Sequence, residues 1–340
     1  MKSWIIPAGT TTGPSALRLV TRGPVAPGKG EVKIAMKAWS TNYRDLAITA
    51  GHYFNGPLAR DTVAFSDGAG EIVAVGEGVS NWREGDRVLG CFFQNWLDGP
   101  PLPTASGSDL GATLDGVMAE EVVLPAQGLV RIPDYLSYKE AATLPCAGVT
   151  AWNALFVSHQ LKAGQTVLVL GTGGVSIFAL QFAKMAGAQV IVTSSSDDKL
   201  AHASKLGADG TINYRTTPDW DVEALRLTEG RGVDLVIEVG GIGTLQKSAH
   251  AVGFGGTIAL IGVLSGVQGT FNPMPLMRKA ARLQGVFVGS RAMFEAMNQA
   301  LTAHHIHPVI DRVFGFDQAA EALAYQAAAG HFGKVVISVA

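Results

Sequence analysis

Cysteine and charge are what this chain of 340 residues is short of. Its two cysteines cannot build a disulfide framework, nor a zinc site of four thiolates. Charged residues make up 16% and the formal net charge is −2, with no long run of lysine and arginine. Such a balance argues against nucleic acid or an anionic membrane as the main partner. The N-terminus lacks a sustained apolar stretch ending in a small-residue cleavage site, so no signal peptide is expected and the default location is cytoplasmic. The least polar segment, 251–267, is broken by Gly253, Gly255, Gly256, Gly262 and Gly266. It is expected to fold as turn, buried strand and turn rather than to span a bilayer. Glycine, by contrast, is abundant: 42 residues, where an average of about 7% would give about 24.

At this length two domains are expected. Up to about Pro125, short apolar or β-branched runs (32–38, 70–75, 87–89, 117–124) alternate with Gly, Pro and Asp, the pattern of an all-β module. The stretch 95–111 reads as a surface loop. From Gln165 the pattern changes, and apolar runs at 167–170, 190–193, 235–239, 257–261 and 283–288 alternate with helical segments. A parallel sheet covered on both faces requires that alternation. The fold class expected is therefore α/β, a doubly wound parallel sheet plus a mainly β module. A helix at 317–329 and a strand at 333–339 close the chain, and that strand could rejoin the first module.

The most informative segment is Gly171-Thr172-Gly173-Gly174-Val175-Ser176, set between a strand-like and a helix-like run. In a dinucleotide fold the first glycine makes the tight turn, the second admits the pyrophosphate to the backbone, and the third position must be small for helix and strand to pack. The N–H groups that open the helix face the diphosphate. The competing reading is a plain structural turn. About 20 residues beyond the first glycine an acidic residue normally reads the ribose hydroxyl of NAD. Here the run is Ser194-Ser195-Ser196-Asp197-Asp198-Lys199. Three hydroxyls and a lysine favour the 2′-phosphate of NADP(H), with NAD(H) still possible. Ser195 or Ser196 is also placed to cap the next helix, with the two aspartates in its first turn. Gly240 and Gly262, with Val263, Phe287 and Val288, fall beyond later strands, where the nicotinamide half of the cofactor is expected.

Three further segments carry a family resemblance: Phe65-Ser66-Asp67-Gly68-Ala69-Gly70-Glu71, Trp82-Arg83-Glu84-Gly85-Asp86-Arg87-Val88 and Leu144-Pro145-Cys146-Ala147-Gly148-Val149-Thr150-Ala151-Trp152. With the nucleotide loop after them, the chain resembles the medium-chain dehydrogenase/reductase superfamily along essentially its whole length, in its zinc-independent, quinone-oxidoreductase-like branch. The resemblance implies a GroES-like catalytic domain from 1–125 and 309–340, and a Rossmann domain over 126–308. It also implies that Asn42 and Ser66 stand where zinc-dependent relatives carry a cysteine and a histidine ligand, that Asp67 replaces a glutamate, and that Cys146 alone remains. Asparagine and serine are poor zinc ligands, so no metal is expected. Asp67 as a replacement ligand is the less favoured alternative. Adjacent histidines on a helix diverge by about 100°, so His304, His305 and His307 are expected at a surface helix end. Cys91 and Cys146 are expected as buried free thiols.

Without a metal to polarise a carbonyl oxygen, the favoured electrophile is a quinone or α,β-unsaturated carbonyl, whose developing oxygen needs hydrogen-bond donors and a later proton. The candidates are Asn42, the family's active-site asparagine by resemblance, with Tyr53, Asp45 and Tyr43. Arg44 and Asp45 are alternatively a pair that shapes the loop. By the same resemblance Thr150 contacts the nicotinamide amide; Tyr214, after the third strand, is placed to stack near the adenosine, and Lys334 to approach the cofactor phosphates, the alternative being a plain surface lysine. The substrate is a small molecule, and relatives commonly form homodimers through the last Rossmann strand, here about 282–288. Alternatives are an alcohol or carbonyl dehydrogenase, with an atypical metal or none, and a nucleotide-binding regulatory protein without turnover.

Overall fold

Valine and leucine fill the strand Thr166–Leu170 after its first residue, and all five positions are buried. A strand apolar on both faces belongs in the middle of a covered parallel sheet. It lies third in a six-stranded sheet: Gly210–Asn213, Gln189–Ser194, Thr166–Leu170, Val233–Glu238, Val252–Leu260, Arg282–Gly285. All neighbours are parallel. The strand order is that of a doubly wound dinucleotide fold, reversing beside the first strand in sequence. Helices Gly174–Met185, Asp197–Lys205, Trp220–Leu227 and Ile242–Ala251 join successive strands. The run expected at 283–288 stays a strand only to Gly285, and Val288 turns to φ +52°.

The computed structural model describes residues 1–54 and 56–339. By its contacts the chain divides into two units, Met1–Val149 with Gly289–Ala340, and Thr150–Val288. The sheet above lies in the second unit. In the first, a seven-stranded sheet runs Ile310–Gly315, Lys334–Ser338, Glu31–Ser40, Asp67–Val75, Arg87–Gly90, Leu129–Arg131, with Glu121–Pro125 also paired to Glu31–Ser40. The closing strand does rejoin the first module, antiparallel, with Val336 opposite Ser40 and Ser338 opposite Ala38. Trp39, Phe65, Ile34 and Ile72 fill the core beneath it.

The division falls inside the domain limits expected from the resemblance. Leu129–Arg131 pairs with Arg87–Gly90, and helix Arg291–His304 is tied to it by Asn298 Nδ2 donating to the Arg131 carbonyl at 3.0 Å. Residues 126–149 and 289–308 thus go with the first unit. The last residue of the 309–340 segment lies outside the described residues. Among the described residues no helix is long and apolar enough to cross a membrane.

Candidate active site

In the first unit, strand Glu31–Ser40 leads through Thr41 and Asn42 into helix Tyr43–Thr49. The Asn42 N–H donates to Asp45 Oδ2 at 2.7 Å, which fixes the start of that helix. The Asn42 amide oxygen accepts from Lys334 Nζ at 2.6 Å, and the same ammonium donates to the Thr41 carbonyl at 2.7 Å. Lys334 is only 3% exposed, and its Nζ lies 3.7 Å from Asp67 Oδ2. Asp67, fully buried, accepts from the hydroxyls of Ser66 at 2.8 Å and Ser40 at 3.2 Å and from the Cys146 N–H at 3.4 Å. Burial first, and the Asp67 charge second, push the part-buried Cys146 thiol well above the ordinary thiol range. Burial likewise pushes Cys91 up to about 12. Neither thiol has the depressed pKa of a reactive nucleophile.

Three buried polar atoms cluster here without a hydrogen-bond partner among the described residues: Thr41 Oγ1, Asn42 Nδ2 and Asp45 Oδ1. Each unmet group costs about 1–3 kcal/mol, and such groups are uncommon in folded proteins unless a ligand or water meets them.

Arg44 keeps the expected ion pair with Asp45, loosely, at 3.9 Å, and its stronger partner is Asp109, with Nη2 to Oδ2 at 2.7 Å. It also donates to the Leu110 carbonyl at 2.8 Å, and its guanidinium lies over the rings of Tyr53 and Phe92 at 4.9 and 4.6 Å. The Tyr53 hydroxyl accepts a long bond from Arg44 Nε at 3.3 Å. Burial raises the Tyr53 pKa, and Arg44 opposes that rise. Tyr43, 45% exposed, makes none of these bonds. Asp109 is 65 residues from Arg44, and nothing local in the sequence marks the pair.

Among the described residues, no group of three or more His, Cys, Asp and Glu is placed to hold a metal. The histidines at the end of helix Arg291–His304 are engaged elsewhere. His307 Nδ1 lies 2.6 Å from Glu140 Oε1, and the His305 ring meets Tyr135 edge-on at 5.2 Å.

In the second unit Gly171 takes φ +74° to turn the chain out of strand Thr166–Leu170, and its N–H donates to Thr193 Oγ1 at 3.3 Å. Gly173 precedes helix Gly174–Met185 without a side-chain cap, so the first N–H groups of the helix are left for another acceptor. A Cβ at Gly173 would meet nothing within 4 Å, and its φ of −76° suits any residue. The protein's own packing therefore does not require glycine there. In dinucleotide folds the backbone approach of a phosphate is what favours glycine at this position. Thr172 is buried and Val175 half-buried beside it, and Ser176 Oγ donates to the Leu170 carbonyl at 2.7 Å, closing strand onto helix.

Ser194 ends the second strand, buried, with its hydroxyl accepting from the Ser196 N–H at 3.3 Å. Ser196 is the helix cap, accepting from the Lys199 N–H at 3.4 Å. Ser195 and Lys199 are half-buried alongside. The Asp197 carboxylate accepts from Asn213 Nδ2 at 2.7 Å. The Tyr214 N–H donates to the Ser194 carbonyl at 3.0 Å, leaving the ring 42% exposed, and Arg215 follows with its N–H on Asn213 Oδ1 at 3.0 Å. Asn213 and Arg215 were not singled out by the sequence reading. The basic residue beside Tyr214 was the available signal.

Glu238, also missed, is fully buried at the end of the fourth strand. Its carboxylate accepts from the N–H groups of Gly240 and Gly241 at 2.8 and 3.0 Å, from Thr244 Oγ1 at 2.6 Å and from Ser248 Oγ. The loop carrying Gly240 is thus held from beneath. Gly240 and Gly262 are also required by packing, since a Cβ would strike Thr244 or the Val239 carbonyl. Val263 and Phe287 are exposed, and Thr150 is buried in the short helix Val149–Trp152. Val288 is the outlier. A β-branched residue at positive φ is strained, and its carbonyl is held by Asn153 Nδ2 at 2.7 Å.

Two family models match the chain: the alcohol dehydrogenase GroES-like domain over residues 28–134 and the zinc-binding dehydrogenase over residues 174–303. A zinc-type alcohol dehydrogenase-like protein of Schizosaccharomyces pombe is 51% identical over 316 residues, covering 91% of each chain. A solved NAD-dependent alcohol dehydrogenase superimposes with a TM-score of 0.90 at 33% identity over the whole of both chains. The quinone oxidoreductase of Pseudomonas syringae does so with 0.84 at 28% identity, covering 99% of this chain and 100% of its own. The chain belongs to the medium-chain dehydrogenase/reductase superfamily and is an oxidoreductase of that family.

Proposed function

We propose that this protein is an NADP(H)-dependent reductase that delivers hydride to a quinone or α,β-unsaturated carbonyl without a metal. One observation carries the reading. At the positions where zinc-dependent relatives place ligands, the Asn42 amide oxygen is bound to the Lys334 ammonium, the Ser66 hydroxyl donates to Asp67, and Cys146 is the single thiol left. Zinc needs deprotonated thiolate, imidazole or carboxylate donors, and a resident ammonium already neutralises Asp67. The donor set does not fit the ion.

The nicotinamide supplies the hydride when bound. The second unit holds the dinucleotide at the opening of helix Gly174–Met185, with Ser194, Ser195 and Lys199 receiving the 2′-phosphate. A serine in place of the usual acid removes a repulsion, and the Asp197 charge is drawn off by Asn213. The first unit meets the substrate oxygen. Asn42 Nδ2, a donor without a partner among the described residues, stabilises the enolate or quinol oxygen as charge develops there. Asp45 fixes Asn42, and Tyr53, whose hydroxyl accepts from Arg44 and keeps its own proton to give, is the proton donor. The quinone oxidoreductase neighbour supports this substrate class. The proposal includes a cytoplasmic homodimer joined along the edge strand Arg282–Gly285, all four of whose residues are exposed.

The test follows NADPH and NADH oxidation against a panel of quinones, enones and simple ketones. Turnover of quinones or enones is expected, with kcat/KM for NADPH at least about tenfold above NADH. Turnover confined to simple ketones and alcohols, or cofactor binding with no turnover, contradicts the reading.

A further inference from the structure

Lys334 reaches Asn42 by strand register. Thr41 N–H donates to the Val335 carbonyl at 3.1 Å, and the pairing of Val336 with Ser40 continues to set Lys334 against Asn42. Gly333, at φ +79° with the Val309 carbonyl only 2.5 Å from where a Cβ would stand, lets the chain enter that strand. An ammonium has three donors and no acceptor. The group of Asn42 that faces it at 2.6 Å must therefore be the amide oxygen. Asn42 N–H is committed to Asp45, which leaves Nδ2 as the donor of that residue unmet among the described residues, as are Thr41 Oγ1 and Asp45 Oδ1.

We propose that Lys334 is a positioning residue for the reaction: its buried ammonium holds the Asn42 amide by its oxygen and so presents Nδ2 to the substrate's carbonyl oxygen. This deepens the metal-free reading and rests on it. A cation on the amide oxygen draws electron density from the nitrogen, so the N–H bond to a developing oxyanion strengthens along the chain Lys334, Asn42, substrate oxygen. The protein thereby keeps the Lys334 ammonium, with Asp67 at 3.7 Å on its other side, one amide away from the reacting oxygen. Both Lys334 hydrogen bonds run to Thr41 and Asn42 within the first unit, and its ion pair with Asp67 at 3.7 Å lies there too.

The test has two arms. In the first, Asn side chains are labelled with nitrogen-15 and the Asn42 amide signal is compared in wild type and Lys334→Met. The Asn42 signal is expected to move while the other asparagine signals stay. An unmoved signal overturns the proposal. In the second, kcat is measured for 1,4-benzoquinone in wild type, Lys334→Met, Asn42→Ala and the double variant. Lys334→Met is expected to lower kcat at least about tenfold with the NADPH Kd little changed, and to lower it less than about twofold once Asn42 is gone. Equal losses in both backgrounds, or a weakened NADPH Kd with kcat intact, overturn it. Lys334→Gln, which keeps a neutral donor, stands in if the methionine variant does not fold, and intermediate loss is expected. If wild type reduces no member of the quinone and enone panel, the functional reading fails, and the amide signal still decides whether Lys334 holds Asn42.

Discussion

Asp45 is the residue where the first unit's electrostatics are most exposed to experiment. Burial pushes its carboxyl up to about 7, Arg44 and the Asn42 N–H pull it down, Asp67 adds to the rise and Lys334 opposes it. An unfolded aspartate titrates at about 3.9. With the folded value the higher of the two, the stability contributed by Asp45 is complete below about pH 4 and is lost as pH rises through about 7. Asp45→Asn removes that slope. The melting temperature of the variant relative to wild type is expected to be more favourable at pH 8 than at pH 5. An equal difference at both pH values, or a larger deficit at pH 8, contradicts the assignment. Residue identities at this site were legible only in part. The type and position of Asn42, Ser66 and Cys146 could be read through the family pattern. The bonds that give them meaning could not, because Lys334 and Asp109 reach Asn42 and Arg44 across 292 and 65 residues of sequence.

Among the elements, the turn from strand Thr166–Leu170 into helix Gly174–Met185 was the most legible, because a dinucleotide imposes local rules on glycine spacing. Gly173 tests whether those rules serve a ligand here. With open space around a Cβ and an ordinary φ, Gly173→Val should leave the fold nearly intact. The NADPH Kd, measured by fluorescence titration, is expected to rise at least about tenfold, or about 1.4 kcal/mol. An unchanged Kd would reduce the loop to a structural turn. Elements were less legible where long-range contacts override local pattern. The run at 117–124 becomes a strand only from Glu121, because Gly116, Val117 and Met118 bond instead to the backbone of Val63, Phe65 and Ala64. The strand near 283–288 ends early at the strained Val288. Glu238 gave no local sign of its role, since its four partners gather only when the Gly240 loop and the helix Ile242–Ala251 fold over it.

At the level of the whole molecule, the change from alternating short strands to strand-helix repeats announced two units, and the parallel order of the second unit's sheet follows from it. The limits of the units were less visible. Their boundaries depend on Leu129–Arg131 joining the first unit's sheet through its pairing with Arg87–Gly90, about 40 residues earlier in the chain. On the proposed reading, a lysine ammonium and an amide serve in this oxidoreductase where zinc-dependent members of its superfamily place zinc. The most direct test of that reading is the rate of NADPH-dependent 1,4-benzoquinone reduction after exhaustive dialysis against a strong chelator, with metal content measured on the same sample. Full rate at substoichiometric metal is predicted. A rate that falls with the metal and returns on adding Zn²⁺ would contradict the account.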